Sequence, residues 1–460
     1  MTKTNKFYDF PGVSAKAWKQ QIQAGLQGDD YNARLVWEGP DRIKVKPFYN
    51  SEDLEGLAQA QVSAPNSWKI GQVCYVQNDK SANNKALDVL NRGAESLYFV
   101  LPNPDLDLNI LLKGIDLSKV PVYLELQFVS TAFAKKIAAF KSPRETSFLI
   151  HMDVLAGLAK TGNWQQSMEE DLASVFELTK LLPGHRPITI DGAIYQNAGA
   201  TRVQQLAYML AQANEYLNHF QNQESSVPFP EPIFKIAVDS DYFFEIAKIR
   251  ALRMLWKSLA AVYGAPGSCH IIAQPSKRNK TLYEYNANLL RTTTECMAAI
   301  LGGADTICNL PYDAIYHKDN EFGERIARNQ LLILRHESYF GAVSNSADGA
   351  YYLETLTRQL AEKALDLFKN LEASGGYLKG LKQHTIQKKI REQAEKEQLQ
   401  FDNGELVLVG SNVYVNPKDK MKDTIEIFPF LKSNPGKTLI EPILEKRLAE
   451  SMEQKRLDNE

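Results

Sequence analysis

Short apolar runs, each four to seven residues long, recur from Trp68 onward, at 70–76, 97–101, 122–126, 148–152, 188–191, 234–238, 270–273 and 306–310. Each is β-prone and too short for an ordinary helix, so each reads as a strand. Between them, apolar residues return every three or four positions, the period of a helix. Val203, Leu206, Leu210 and Leu217 share one such face. Leu289, Cys296, Ala299 and Ile300 share another, closed by Gly302-Gly303 as a C-cap. Strand starts lie roughly 25 to 46 residues apart, the length of a strand, a helix and two loops. Eight such repeats predict an α/β fold, a (β/α)8 TIM barrel. The runs are largely apolar and lack clean alternation, which fits parallel strands buried on both faces. A doubly wound open sheet is the alternative, weakened by the lack of a G-x-G-x-x-G after the first strand.

The pattern changes at both ends. In an N-terminal arm, residues 1–60, Trp18, Ile22 and Leu26 form a stripe at four-residue spacing, followed by Val36-Trp37 and Phe48-Tyr49. These large apolar groups have no continuous core of their own, which predicts an arm packed on a partner chain or on its own domain. After the barrel, residues 61–345, comes a helical extension at 346–415. A long amphipathic helix carries Leu353, Leu356, Leu360, Ala364, Leu367 and Leu371 and closes at Gly375-Gly376. A second, charged one is expected over 379–400, then a hairpin turning at Asn403-Gly404. The tail, 416–460, holds four prolines and a final charged helix with Leu444, Leu448 and Met452.

Composition narrows the function. Lys plus Arg number 53 against 55 Asp plus Glu, without the basic excess of a nucleic-acid or anionic-membrane binder. Cys74, Cys269, Cys296 and Cys308 form no C-x-x-C pair, which excludes a disulfide framework and a zinc module. The N-terminus has no signal-like apolar core, and no apolar stretch approaches about 18 residues. The expectation is a soluble, cytoplasmic protein.

Barrel enzymes hold their catalytic groups at the C-terminal ends of the strands. That rule selects His151, Asp153, Asp191, Asp239 and Asn309. His151 and Asp153 are two residues apart and share a side if both remain in strand, so an independent metal-dependent enzyme using His151, Asp153 and Asp239 is one reading. Against it, an Asp after a strand commonly caps the next helix, and no H-x-H or H-E-x-x-H occurs. His185, His219, His317 and His384 fall in loops or helices without visible partners. Tyr75, Phe99, Tyr123, Phe148 and Phe234 lie within the strands, and those facing inward would plug the lumen.

A resemblance takes the reading further. Arg291-Thr292-Thr293-Thr294-Glu295-Cys296-Met297-Ala298-Ala299, Arg325 to Gln330, Asp348 to Glu354 and Val409 to Tyr414 resemble the barrel region of the methylmalonyl-CoA mutases. The Trp18-Lys19, Pro47-Phe48-Tyr49 and Gly192 to Ala200 segments fit in register, so the likeness covers nearly the whole chain. In that family a barrel threads the coenzyme A thioester, and adenosylcobalamin supplies the radical that interconverts methylmalonyl-CoA and succinyl-CoA.

The resemblance also has gaps. Active chains carry Gly-Tyr-His at the end of the fifth strand; here it reads Gly192-Ala193-Ile194. On the fourth strand their Gln is His151. The aromatic substrate segment before the first strand is reduced to Ala64-Pro65-Asn66-Ser67-Trp68, and the Asp-x-His-x-x-Gly cobalamin motif is absent from these 460 residues. The resemblance therefore implies a small, non-catalytic subunit of a heterodimeric mutase. Such a chain would hold no cofactor, metal or working catalytic residue, with Ala193, Ile194 and His151 marking lost groups. It would pair through Trp18, Ile22, Leu26, Trp37, Phe48 and Tyr49 with a homologous large subunit that binds adenosylcobalamin and the acyl-CoA. A barrel subunit of another acyl-CoA mutase with a separate cobalamin chain is the alternative; it would need an intact Tyr-His pair.

Overall fold

The computed structural model describes residues 12–55, 67–140, 148–223, 227–344, 346–431 and 436–460. Eight strands form one sheet: β1 Lys69–Tyr75, β2 Ser96–Leu101, β3 Val122–Leu126, β4 Leu149–His151, β5 Thr189–Asp191, β6 Ile233–Val238, β7 His270–Pro275 and β8 Thr306–Cys308. Every predicted run is a strand. Their order is β4-β3-β2-β1-β8-β7-β6-β5, and all pairs are parallel. The two edges meet through a parallel bridge between Leu149 and Arg186, with Ile150 N–H donating to the Arg186 carbonyl at 2.9 Å. The sheet thus curls into the expected (β/α)8 barrel.

Strand alternation sorts the side chains into two shells. Ile70, Cys74, Phe99, Leu124, Ile150, Phe234, Ile236 and Ile307 point outward into the layer beneath the helices, the main core of the molecule. Tyr98, Tyr123, Leu149, Ile233, Ile272 and Cys308 form a second cluster on the axis. This corrects part of the lumen expectation: Phe99, Phe148 and Phe234 belong to the outer layer. Phe234 packs edge-on against Trp256 at 5.7 Å. Of the five aromatics only Tyr75 and Tyr123 lie on the axial side.

The helices match the predicted faces, with Arg202–Gln221 opened by a Thr201–Gln204 capping box and Ala287–Gly302 closed by left-handed Gly303. Three C-terminal expectations fail. The charged helix is broken at left-handed His384 into Gly376–Lys382 and Thr385–Asp402. Asn403-Gly404 ends that second helix instead of turning a hairpin, and only a single bridge joins Val409 and Val413. The last helix, Glu450–Asp458, begins after Leu444 and Leu448. A helix C-cap and a two-residue hairpin both call for a left-handed residue, so Asn-Gly alone does not separate them.

In the arm, helix Ala15–Gly25 buries none of its residues. Trp18 stays 51% exposed, touching Phe48 edge-on at 5.9 Å. Ile22, Leu26 and Phe48 are half-buried. Trp37 is also 51% exposed, although it meets Phe244 at 5.8 Å. Tyr49 leans on Tyr352 at 5.1 Å. The arm is therefore anchored to its own barrel yet carries a large uncovered apolar surface. Residues 1–11 of the arm, and Ala64, Pro65 and Asn66 before β1, lie outside the described residues.

Phe234→Ala should remove about 3–5 kcal/mol of stability, the usual cost of truncating a fully buried aromatic. Val262→Ala, at a position 79% exposed, should change it by under about 0.5 kcal/mol. Urea denaturation of the two variants checks the assignment of the outer layer as the load of the fold.

Candidate functional site

The register fixes what stands on the barrel axis. Glu125 of β3 lies opposite His151 of β4, and Asp191 of β5 lies opposite Lys235 of β6. Lys235 reaches across to Glu125 at 2.9 Å and stands 3.6 Å from Asp191. Tyr98 donates its hydroxyl proton to Glu125 at 2.6 Å and contacts His151 Nδ1. His151 Nε2 lies 3.6 Å from Asp191. Deeper in, the Tyr123 hydroxyl joins His270 Nε2 at 2.7 Å and Thr306 Oγ1 at 2.6 Å. Tyr98 stacks on Tyr123, ring centres 5.6 Å apart.

The electrostatics follow from this pairing. Burial opposes the Lys235 charge, but Glu125 and Asp191 outweigh it and its pKa rises. Burial likewise opposes the Glu125 charge, and Lys235, His151 and the Tyr98 hydroxyl together pull its pKa below the carboxylate range. Burial pushes His151 down despite Glu125, and takes His270 down to about 4. A charged pair and neutral imidazoles thus occupy the axis with their polar atoms turned on one another. The hydrogen-bonding atoms of these groups are taken up largely by one another. The β1 side is the most open, with Val73 37% and Tyr75 44% exposed.

The strand ends hold the other candidates apart. His151 faces the axis, whereas the chain leaves the strand before Asp153. That carboxylate caps helix Val154–Thr161 through Ala156 N–H at 3.0 Å and also accepts from Asp191 N–H at 2.7 Å and the Tyr216 hydroxyl at 2.8 Å. Burial lifts its pKa to about 6 against those bonds. Asp239 accepts from Gln196 at 3.1 Å and Asn279 at 2.8 Å. Asn309 donates to Gln330 and to the Ala327 carbonyl. His151 and Asp153 meet different atoms of Asp191, Asp239 has partners of its own, and among the described residues no group of three His, Cys, Asp or Glu side chains converges as metal ligands. His185 and His317 do have partners, accepting from Phe148 N–H at 2.8 Å and lying 3.1 Å from Asp313.

After β5 the chain enters a short helix, Ala193–Asn197, all of it buried. A Cβ at Gly192 would stand 2.2 Å from the Met209 sulfur, so a larger residue there would require that side chain to move. Ala193 and Ile194 therefore sit at the barrel mouth with no polar group to offer. The tail crosses the same mouth. Lys446 N–H donates to the Asn197 carbonyl at 3.1 Å, and Leu448 N–H to the Arg278 carbonyl at 2.9 Å. Arg447 reaches the Lys280 carbonyl at 3.0 Å and pairs with Glu453 at 2.7 Å. A cavity of about 480 Å³ with both polar and apolar lining remains between the arm, the β5 and β6 ends and helix Thr385–Asp402. Sequence reasoning missed Glu125, Lys235, Lys280, Glu295 and Arg447. The signal was present for two of them, since Glu125 and Lys235 interrupt otherwise apolar strands.

Fold and site together define a closed (β/α)8 barrel whose axis is filled by paired polar groups and whose mouth carries its own strap. A family model described as methylmalonyl-CoA mutase matches residues 103–454. A methylmalonyl-CoA mutase small subunit of Porphyromonas gingivalis is 32% identical over 459 residues, 92% of this chain and 73% of that one. One of Streptomyces virginiae is 30% identical over 420 residues, 83% of this chain and 67% of that one. Both organisms also have a relative named as the large subunit; that of P. gingivalis is 28% identical over 450 residues, 85% of this chain and 62% of that one. The chain belongs to the methylmalonyl-CoA mutase family, a family of isomerases generally dependent on cobalamin, and its relatives there include small subunits. Among the described residues no helix is long and apolar enough to cross a membrane.

The buried imidazoles set a pH dependence. An unfolded histidine takes up a proton near pH 6.5, while His270 resists protonation down to about 4. The unfolded state then binds more protons in that window, so stability falls as pH drops through it, by about 2–3 kcal/mol for this group. His270→Gln should flatten the loss between pH 6.5 and 4, as measured by urea denaturation across that range.

Proposed function

We propose that this chain is the small, non-catalytic subunit of an adenosylcobalamin-dependent methylmalonyl-CoA mutase, stabilising a large subunit that binds the cofactor and the acyl-CoA. The observation that carries the reading is the barrel mouth itself. Where active chains place Tyr-His, Ala193 and Ile194 are buried and apolar, and neither can supply the hydrogen bond those groups make. Behind them the axis is filled by Tyr98, Tyr123, Glu125, His151 and Lys235. In front, residues 446–448 already hold the backbone of Asn197 and Arg278. These residues do not fit a corrin ring or a reacting acyl group, and no catalytic step is assigned to them. Radical chemistry needs a site that binds, orients and excludes water around its cofactor, which this reading gives to the partner. The occurrence of large-subunit relatives beside small ones in two organisms supports such a pairing.

The arm is the proposed grip. Trp18, Ile22, Leu26, Trp37, Phe48 and Tyr49 form an apolar surface only partly covered by the chain's own barrel, and Trp and Tyr commonly dominate interface energetics. The test is to express the chain with and without the large subunit and assay methylmalonyl-CoA isomerisation. The expected result is no turnover by the chain alone and full turnover by the pair. The double variant Trp18→Ala, Trp37→Ala should weaken the pair at least tenfold by calorimetry while leaving the thermal midpoint of the free chain within a few degrees. Turnover by the chain alone, or unchanged affinity of the double variant, would contradict the reading.

A further inference from the structure

A continuous run of polar contacts crosses the barrel mouth and joins the arm to the tail. Asp41 of the arm accepts from Val203 N–H at 3.0 Å and from Arg202 at 3.2 Å. Arg202 donates to Glu245 at 3.0 Å, and the other Glu245 oxygen meets Lys248 at 2.6 Å. Lys248 donates to Gln205 at 3.0 Å, Gln205 donates to Gln196, and Gln196 donates to Asp239 at 3.1 Å. Asn279 bridges Asp239 at 2.8 Å and Glu295 at 2.7 Å, and Lys280 lies 2.8 Å from Glu295. Arg447 of the tail then closes on the Lys280 carbonyl and on Glu453.

Two features make this run more than a set of separate bonds. Every side chain of the run except Asp239 is buried, and although Gln196, Arg202 and Gln205 also line the cavity, an uncompensated charge inside the molecule is strongly unfavourable. The two glutamines also have a fixed polarity. An ammonium only donates and a carboxylate only accepts, so Lys248 at one end and Asp239 at the other permit a single orientation of both amides. Beyond the two ends, the arm helix buries nothing, and among the described residues no helix lies between Asp402 and Glu450.

We infer that docking of the arm and closure of the tail over the mouth are one linked equilibrium, carried by this run. The linkage lies within the chain and does not depend on the partner-subunit reading. Freeing Asp41 leaves Arg202 to Glu245 and to Asp241, 3.2 Å away, which shifts the pull on Glu245 and hence on Lys248 and the amides, and so loosens the bonds that receive Arg447. Reciprocity requires the converse as well.

Hydrogen–deuterium exchange by mass spectrometry on the full chain tests this. Asp41→Asn keeps an acceptor for Val203 N–H and removes the charge. It should speed exchange at least fivefold both in the arm, residues 31–45, and in the tail, residues 440–453. Arg447→Met should do the same from the other end; Arg447→Lys, which keeps the charge and loses the fork, serves if Met prevents folding. Helix Met168–Leu181, away from the run, should stay unchanged. In a Gln205→Leu background, Asp41→Asn should no longer reach the tail. Exchange that rises only at the substituted end, or that rises equally in Met168–Leu181, would overturn the linkage.

Discussion

One buried ammonium organises the barrel. Lys235 enters the axis because β6 alternates, and a charge placed there is tolerated only if carboxylates meet it. The register supplies them, Asp191 from the neighbouring strand and Glu125 from across the barrel. Once Glu125 is committed, Tyr98 and His151 orient around it, and Tyr98 stacks on Tyr123. Removing one member of such a buried pair typically costs about 3–5 kcal/mol, so the set persists together or fails together. A lumen that must hold these groups is not free to hold a substrate chain in the same place. The non-catalytic reading therefore rests on a packing constraint more than on any single missing residue.

Much of this was legible beforehand. The apolar runs marked all eight strands, because strands covered on both faces carry mostly apolar residues on either side. Trp18 and Trp37 marked the arm, because large apolar groups without a local core need a cover from elsewhere. Less was legible where one local signal serves two geometries. Asn403-Gly404 suits a helix end as well as a hairpin, and Phe99, Phe148 and Phe234 could not be told from inward-facing aromatics without the register. His151 and Asp153 looked like a pair only while the strand was assumed to continue past His151. The contacts of Arg447 with the β7 loop join residues more than 160 positions apart, and no local pattern anticipates such a meeting.

The two ends of the chain give the barrel opposite faces of one function. The arm displays apolar surface that the chain itself does not cover, while the tail covers a mouth that would otherwise be open. Under the proposed reading, a chain with an occupied axis and an exposed arm is suited to lend stability and shape to a second barrel. Family membership fixes the kind of reaction concerned, isomerisation by a mutase. Its paired axis and strapped mouth support the proposed non-catalytic share.

The central claim, that one barrel of the pair is closed to chemistry, is tested most directly by stoichiometry. Adenosylcobalamin and acyl-CoA bound per purified pair can be counted by absorbance and by calorimetric titration of the assembled complex. The account predicts one of each per pair of chains, all of it lost when the large subunit is removed. Two of each per pair, or retention of either by this chain alone, would contradict it.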